Sequence, residues 1–124
     1  MWCGPVAVAA TIGVDVAVVG DVIKKYRNGK PVMGTHPHEL EHAFRHFGYI
    51  MTLVADLRGN SPTLATWERE RTDIEAAYVV IVTGHWVAVW FCDTFTHGIP
   101  VKIKDAPRRR KRVQFVYQVT VAGN

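Results

Sequence analysis

Long apolar runs, cysteines and low-complexity tracts are scarce in this sequence, and each scarcity removes a class of protein. The longest apolar stretch, Val6 to Val19, is broken by Thr11, Gly13 and Asp15, short of the roughly 20 apolar residues a membrane-spanning helix needs. No basic leader precedes an apolar segment, so a secretory signal is not indicated and a cytoplasmic protein is the default expectation. The cysteines are Cys3 and Cys92 alone, too few for a disulfide framework, and in a reducing compartment both are free thiols. No internal repeat points to a solenoid.

What is there reads as an ordinary globular composition: 124 residues, 48% hydrophobic and 21% charged. That is enough chain for one core, so a single domain over 1–124 is expected. The formal net charge of +4 is local, because Arg108, Arg109, Arg110, Lys111 and Arg112 supply more than the surplus. Such a run suits a nucleic-acid or anionic-surface patch. It also suits a solvated strand edge, where charge discourages edge-to-edge pairing. No aromatic interrupts the run to stack on bases, so the sequence favours the edge and makes nucleic acid an unlikely partner.

Helix signals crowd the first half. Pro5 is tolerated in a first helical turn, and VAVAATI continues it, predicting a helix from about Pro5 to Ile12. Asp15 reads as the cap of a second helix with Val19, Val22, Ile23 and Tyr26 on one face, Lys24, Lys25 and Arg27 outward, and Asn28-Gly29 as its stop. A third helix follows Thr35-His36-Pro37, carries Leu40, Ala43, Phe44 and Phe47 at helical spacing, and ends at Gly48. The period then changes. YIMTLVADL reads as a strand, RGNSP as a turn, and TLATWERER as a short helix capped by Ser61 or Thr63. AYVVIVT, HWVAVWF, PVKIK and RVQFVYQVTV follow as strands, dense in β-branched and aromatic residues. Helices first and strands last predict the α+β class, with an antiparallel sheet packed on a helical half.

The chemistry-bearing residues begin with Cys3, which would stand at a helix N-terminus, where unpaired N–H groups and the positive end of the dipole favour a thiolate. A thiolate nucleophile needs an imidazole as base and proton carrier. Of six histidines the best placed is His85, which opens a strand-like run directly after Gly84. A third group should orient the imidazole. Asp93 is nearest in sequence but lies at the far end of the same extended segment. Asp105 is better placed if HWVAVWF and PVKIK pair as a hairpin about His97-Gly98 and so return it to the His85 end. Asp93 is the reserve.

CGPVAVAA, GHWVAV and KIKDAP, in that order, resemble the papain-like cysteine peptidases, in particular the branch of bacteriocin-leader-processing (double-glycine) peptidases. The resemblance spans nearly the whole chain through three short motifs. It implies a papain-like α+β fold, a peptide or protein substrate, no cofactor, Cys3 as nucleophile, His85 as base and then acid, and Asp105 as orienter. The family's glutamine, several residues before the cysteine, has no counterpart in the two residues that precede Cys3 here. The Cys3 backbone N–H remains as an oxyanion donor, and loss of one such donor costs about 10²–10³ in rate. The same residues suit a second class, a papain-like binding protein of phage or bacterial kind that grips a partner without turnover.

Cys92 and the strand aromatics Trp86, Trp90 and Phe91 are expected to be core residues, while Trp2 is as apt to shape a cleft as to pack. His38-Glu39-Leu40-Glu41-His42 matches the H-E-x-x-H zinc-peptidase spacing. Pro37 makes this the start of a helix rather than an established one, and His46 lies on the same face, so no third ligand is expected to close a tetrahedron. The simpler reading has Thr35 or His36 as cap, Glu39 favouring the helix dipole, and His38, His42 and His46 as a solvated stripe.

Overall fold

The computed structural model describes residues 3–30, 34–70, 76–83, 85–90, 93–96, 99–102 and 109–122. It belongs to the α+β class. In chain order, α1 is Cys3–Ile12, α2 Val16–Tyr26, α3 Pro37–His46, β1 Tyr49–Asp56, α4 Leu64–Glu70, β2 Ala77–Val82, β3 His85–Trp90, β4 Asp93–Thr96, β5 Ile99–Lys102 and β6 Val113–Val121. No helix among the described residues is long and apolar enough to cross a membrane.

Local signals explain the helix ends. α1 begins at Cys3, before the expected Pro5, and stops where Gly13 takes φ +75° and donates its N–H to the Ala9 carbonyl at 2.8 Å. Asp15 caps α2, its Oδ1 accepting the Ala17 N–H at 2.8 Å, and Asn28 and Gly29 follow with φ of 59° and 83°. α3 has Pro37 in its first turn and Gly48 beyond its end at φ +87°. At α4 the cap is Thr63, whose Oγ1 accepts the Thr66 N–H at 3.2 Å, while Ser61 donates to the Leu57 carbonyl instead.

The strands form one antiparallel sheet in the order β1-β6-β2-β3-β4-β5. Its two faces are covered differently. On one lie α1, α2 and α3, with Ala7, Val8, Val19, Ile23, Leu40 and Phe44 fully buried against Met51, Val79, Trp86 and Ala88. The opposite face presents Val80, Val82, Val87, Val89, Val113 and Val116, covered by Leu64 and Trp67 of α4. A bulge in β1 between Leu53 and Ala55 switches that strand from one cluster to the other: Met51 packs under the helices, Ala55 on the α4 side.

Three placements differ from the sequence reading. HWVAVW does not pair with the PVKIK segment, because β4 stands between them, paired with β3 on one side and β5 on the other. Tyr26 is 42% exposed rather than core, its ring stacked on His42 at 4.2 Å. The described part of the basic run, 109–112, leads into β6, which is an interior strand flanked by β1 and β2, so edge protection does not account for it.

Candidate active site

Cys3 is the first residue of α1, a free and partly buried thiol at the margin of the helix-side core. Two contacts determine where that helix end sits. Gly4 lies so close to Thr35 that a Cβ on it would stand 2.5 Å from Thr35 Oγ1 and 3.0 Å from Leu40 Cδ1. The Trp86 indole N–H in turn donates to the Thr35 carbonyl at 2.9 Å. Residue 4 of α1 and residue 86 of β3 are thus joined through one residue, and the starts of the two elements lie at the same end of the molecule. Gly4 is needed for close approach, which gives the Cys-Gly-Pro segment a physical reason independent of any chemistry.

His85 opens β3 opposite Val82, and Thr83, shortly before it in the chain, has φ 39°. Side chains alternate along a strand. Trp86 and Ala88 pack beneath the helices and Val87 and Val89 on the α4 side, so His85 shares the parity of the latter pair. As the terminal residue it lies at the rim of the sheet. Cys3, at the start of α1, and His85, at the start of β3, thus belong to the same end of the molecule.

Asp93 begins β4 opposite Trp90, five residues along β3 from His85. At about 3.3 Å per residue this separates it from His85 by roughly 17 Å, the far-end position expected of it. Asp105 lies outside the described residues. The hairpin thought to return it is not the observed pairing, since β5 runs in the direction of β3 and ends with Lys102 opposite Asp93. Met1, Trp2, Gly84, Phe91 and Cys92 also fall outside the described residues. Trp86 is core, 6% exposed, as expected.

The segment that wedges against Gly4 is itself held by a buried ion pair. Glu39 is 2% exposed; its Oε1 accepts the His36 N–H at 2.9 Å and its Oε2 meets Arg27 Nε at 3.1 Å. Arg27 Nη1 also donates to the Gly34 carbonyl at 3.2 Å. One guanidinium and one carboxylate therefore bind the end of α2, residues 34–36 and the start of α3. The sequence reads Arg27 as outward and Glu39 as favouring the helix dipole, whereas the fold pairs the two. Glu39 cannot serve both this strut and a metal-bound water.

The histidines around it are engaged otherwise. His38 Nδ1 is 3.3 Å from Tyr26 Oη, and His42 stacks on the same ring. No group of three or more potential metal-ligating residues is assembled among the described residues. Thr35 was not singled out as more than a cap. Its hydroxyl is buried with no hydrogen-bond partner among the described residues, and the only trace of it in the sequence is the glycine that makes room for it. Comparison with protein-family models, curated proteins and solved structures gave no match for the chain.

Proposed function

We propose that the chain is a papain-like cysteine hydrolase that splits a peptide or related amide through a thioester at Cys3. The observation that carries the reading is the shared end of α1 and β3, fixed by the Gly4–Thr35 approach and the Trp86–Thr35 hydrogen bond. In the first step the Cys3 sulfur adds to the carbonyl carbon, the C–N bond breaks, and the His85 imidazolium gives its proton to the departing amine. Water then attacks the thioester, His85 takes its proton, and the C–S bond breaks to release the acid and restore the thiolate with the imidazolium. An amine in place of water would make the same site a transferase. The part given to Asp105 rests on the resemblance of KIKDAP to the family's motif alone. No step calls for a cofactor.

One observation favours a second reading, a noncatalytic papain-like protein that binds a partner. It is the strand parity of His85, a register position shared with Val87 and Val89, which line the α4 face. Alkylation of Cys3 against pH, resolved from Cys92 by mass spectrometry in the parent and in His85→Ala, separates the two. The hydrolase reading expects fast alkylation that persists in mildly acidic buffer and slows in the variant. A rate that rises only near the ordinary thiol value of about 8.5 and ignores His85 selects the binding protein.

A further inference from the structure

The basic run is unexplained by either reading, and its setting removes the structural reason first assigned to it. Residues 109–113 are zipped to 61–65 by backbone. Leu64 N–H donates to the Lys111 carbonyl at 2.9 Å, Ala65 N–H to the Arg109 carbonyl at 3.0 Å, and Val113 N–H to the Pro62 carbonyl at 2.8 Å. Thr63 and Arg112 form an antiparallel bridge, and Arg112 Nη1 donates to the Ser61 carbonyl at 3.0 Å. The main chain anchors the segment. Arg110, Lys111 and Arg112 remain exposed on a stiff support.

A groove of about 370 Å³ opens here, lined by Thr63, Thr66, Glu68, Arg69, Arg109 and Arg110 among others. Arg69 arrives from α4, exposed, with Nη2 donating to Thr66 Oγ1 at 3.3 Å. Three guanidinium groups face one carboxylate in the lining, and Lys111 and Arg112 continue the positive strip. The first N–H groups of α4 are already taken by the carbonyls of 109 and 111, so attraction for an anion comes from side chains. Without the five cations of the run the chain would be slightly acidic. Of that run, Arg109 and Arg110 line this groove and Lys111 and Arg112 follow them in the chain.

We infer that the groove between α4 and residues 109–112 binds the phosphodiester backbone of duplex nucleic acid. The guanidinium fork matches phosphate oxygens in pairs. A duplex carries about one charge per 1.7 Å of axis, a density that rewards a consecutive strip of cations through counterion release. Among the described residues no aromatic lines the groove to stack on unpaired bases, so the duplex is favoured over a single strand and the binding is indifferent to sequence.

Fluorescence anisotropy with a labelled 20-base-pair duplex, from 50 to 200 mM KCl, tests this on the full chain. The expected result is binding whose log affinity falls linearly with log salt at a slope of about −3, as for roughly three phosphates neutralised. A scrambled duplex should bind equally. Arg69→Ala/Arg110→Ala/Lys111→Ala should weaken binding at least tenfold and flatten the slope by about 2–3. The urea midpoint should be unchanged, since the backbone bonds survive; if the triple variant is destabilised, Arg110→Glu alone should reproduce the loss. No binding at 50 mM KCl, or a variant that binds like the parent, overturns the proposal. Polyglutamate of equal charge displacing the duplex as well as unlabelled duplex does would overturn it in favour of an acidic protein partner.

Discussion

The two faces of the sheet are held by different kinds of bond. Under α1–α3, side chains do the positioning: Thr35 wedges against Gly4, Trp86 reaches the Thr35 carbonyl, and Arg27 and Glu39 bind three segments together. On the α4 face the main chain does most of it, through the carbonyls of 109, 111 and 62, while Arg110 and Lys111 stand exposed above. A face built from side-chain contacts transmits a substitution to its neighbours. One built from backbone bonds insulates them. The helix face should therefore be brittle and sensitive for Cys3, and the α4 face tolerant in stability while sensitive only in binding.

The largest effect should come from the ion pair. Arg27→Met keeps much of the volume but leaves the Glu39 carboxylate buried and unpaired. Breaking a fully buried pair costs roughly 3–5 kcal/mol. Since 22% of the Arg27 side chain is exposed, about 2–3 kcal/mol is expected in urea unfolding. An unchanged urea midpoint would mean that the 34–36 segment is not held by this pair. Next is Gly4→Ala, where the new Cβ meets Thr35. Overpacking of this kind costs about 1–3 kcal/mol, and the displaced helix end should alter the alkylation rate of Cys3. If stability falls while Cys3 reactivity stays constant, the start of α1 does not set the thiol's environment.

These two sites show where sequence reading succeeds and where it stops. Caps and stops are local, so Asp15, Thr63 and Gly48 announce the ends of their helices through backbone bonds or φ values that few other residues supply. Long-range pairing is not local. DTFT is too short to announce itself as a strand, yet it forms β4, paired with β3 on one side and β5 on the other. Nothing in RVQFVYQVTV says that it enters between β1 and β2. Glu39 carries the same ambiguity in miniature, since a carboxylate in a first turn suits a dipole in solvent as well as a buried partner twelve residues away. For the candidate site, Cys3 at a helix start and His85 at a strand start were legible. The face on which His85 falls was not, because it depends on which residues of its neighbours are buried.

Thr35→Val sharpens the comparison from the opposite sign. The Thr35 hydroxyl is buried without a partner among the described residues, a state that costs about 1–3 kcal/mol. Replacing it by a methyl of nearly equal size should stabilise the protein by about 1 kcal/mol. It leaves the carbonyl that receives the Trp86 N–H in place. A destabilised Thr35→Val protein would show that the hydroxyl has a partner in solution.

The smallest effect is expected at Asp56, at the end of β1. Its carboxylate accepts from Arg58 Nε at 3.0 Å, Nη2 at 2.8 Å and the Arg58 backbone N–H at 3.2 Å. Those hydrogen bonds, side chain first and backbone second, hold the carboxyl below its usual range and raise the guanidinium in return. Arg58 also lies over the Phe115 ring, 4.7 Å from its centre. A carboxyl lowered on folding contributes stability above its unfolded value, about 3.9, and loses that contribution as pH falls through the folded value. Asp56→Asn should therefore lower the melting temperature slightly at pH 7 and match the parent in strong acid. Both groups are exposed, so water and salt screen the pair and the difference should shrink further in 0.5 M salt. A large, salt-insensitive loss would place this corner with the side-chain-locked face rather than with the backbone-held one.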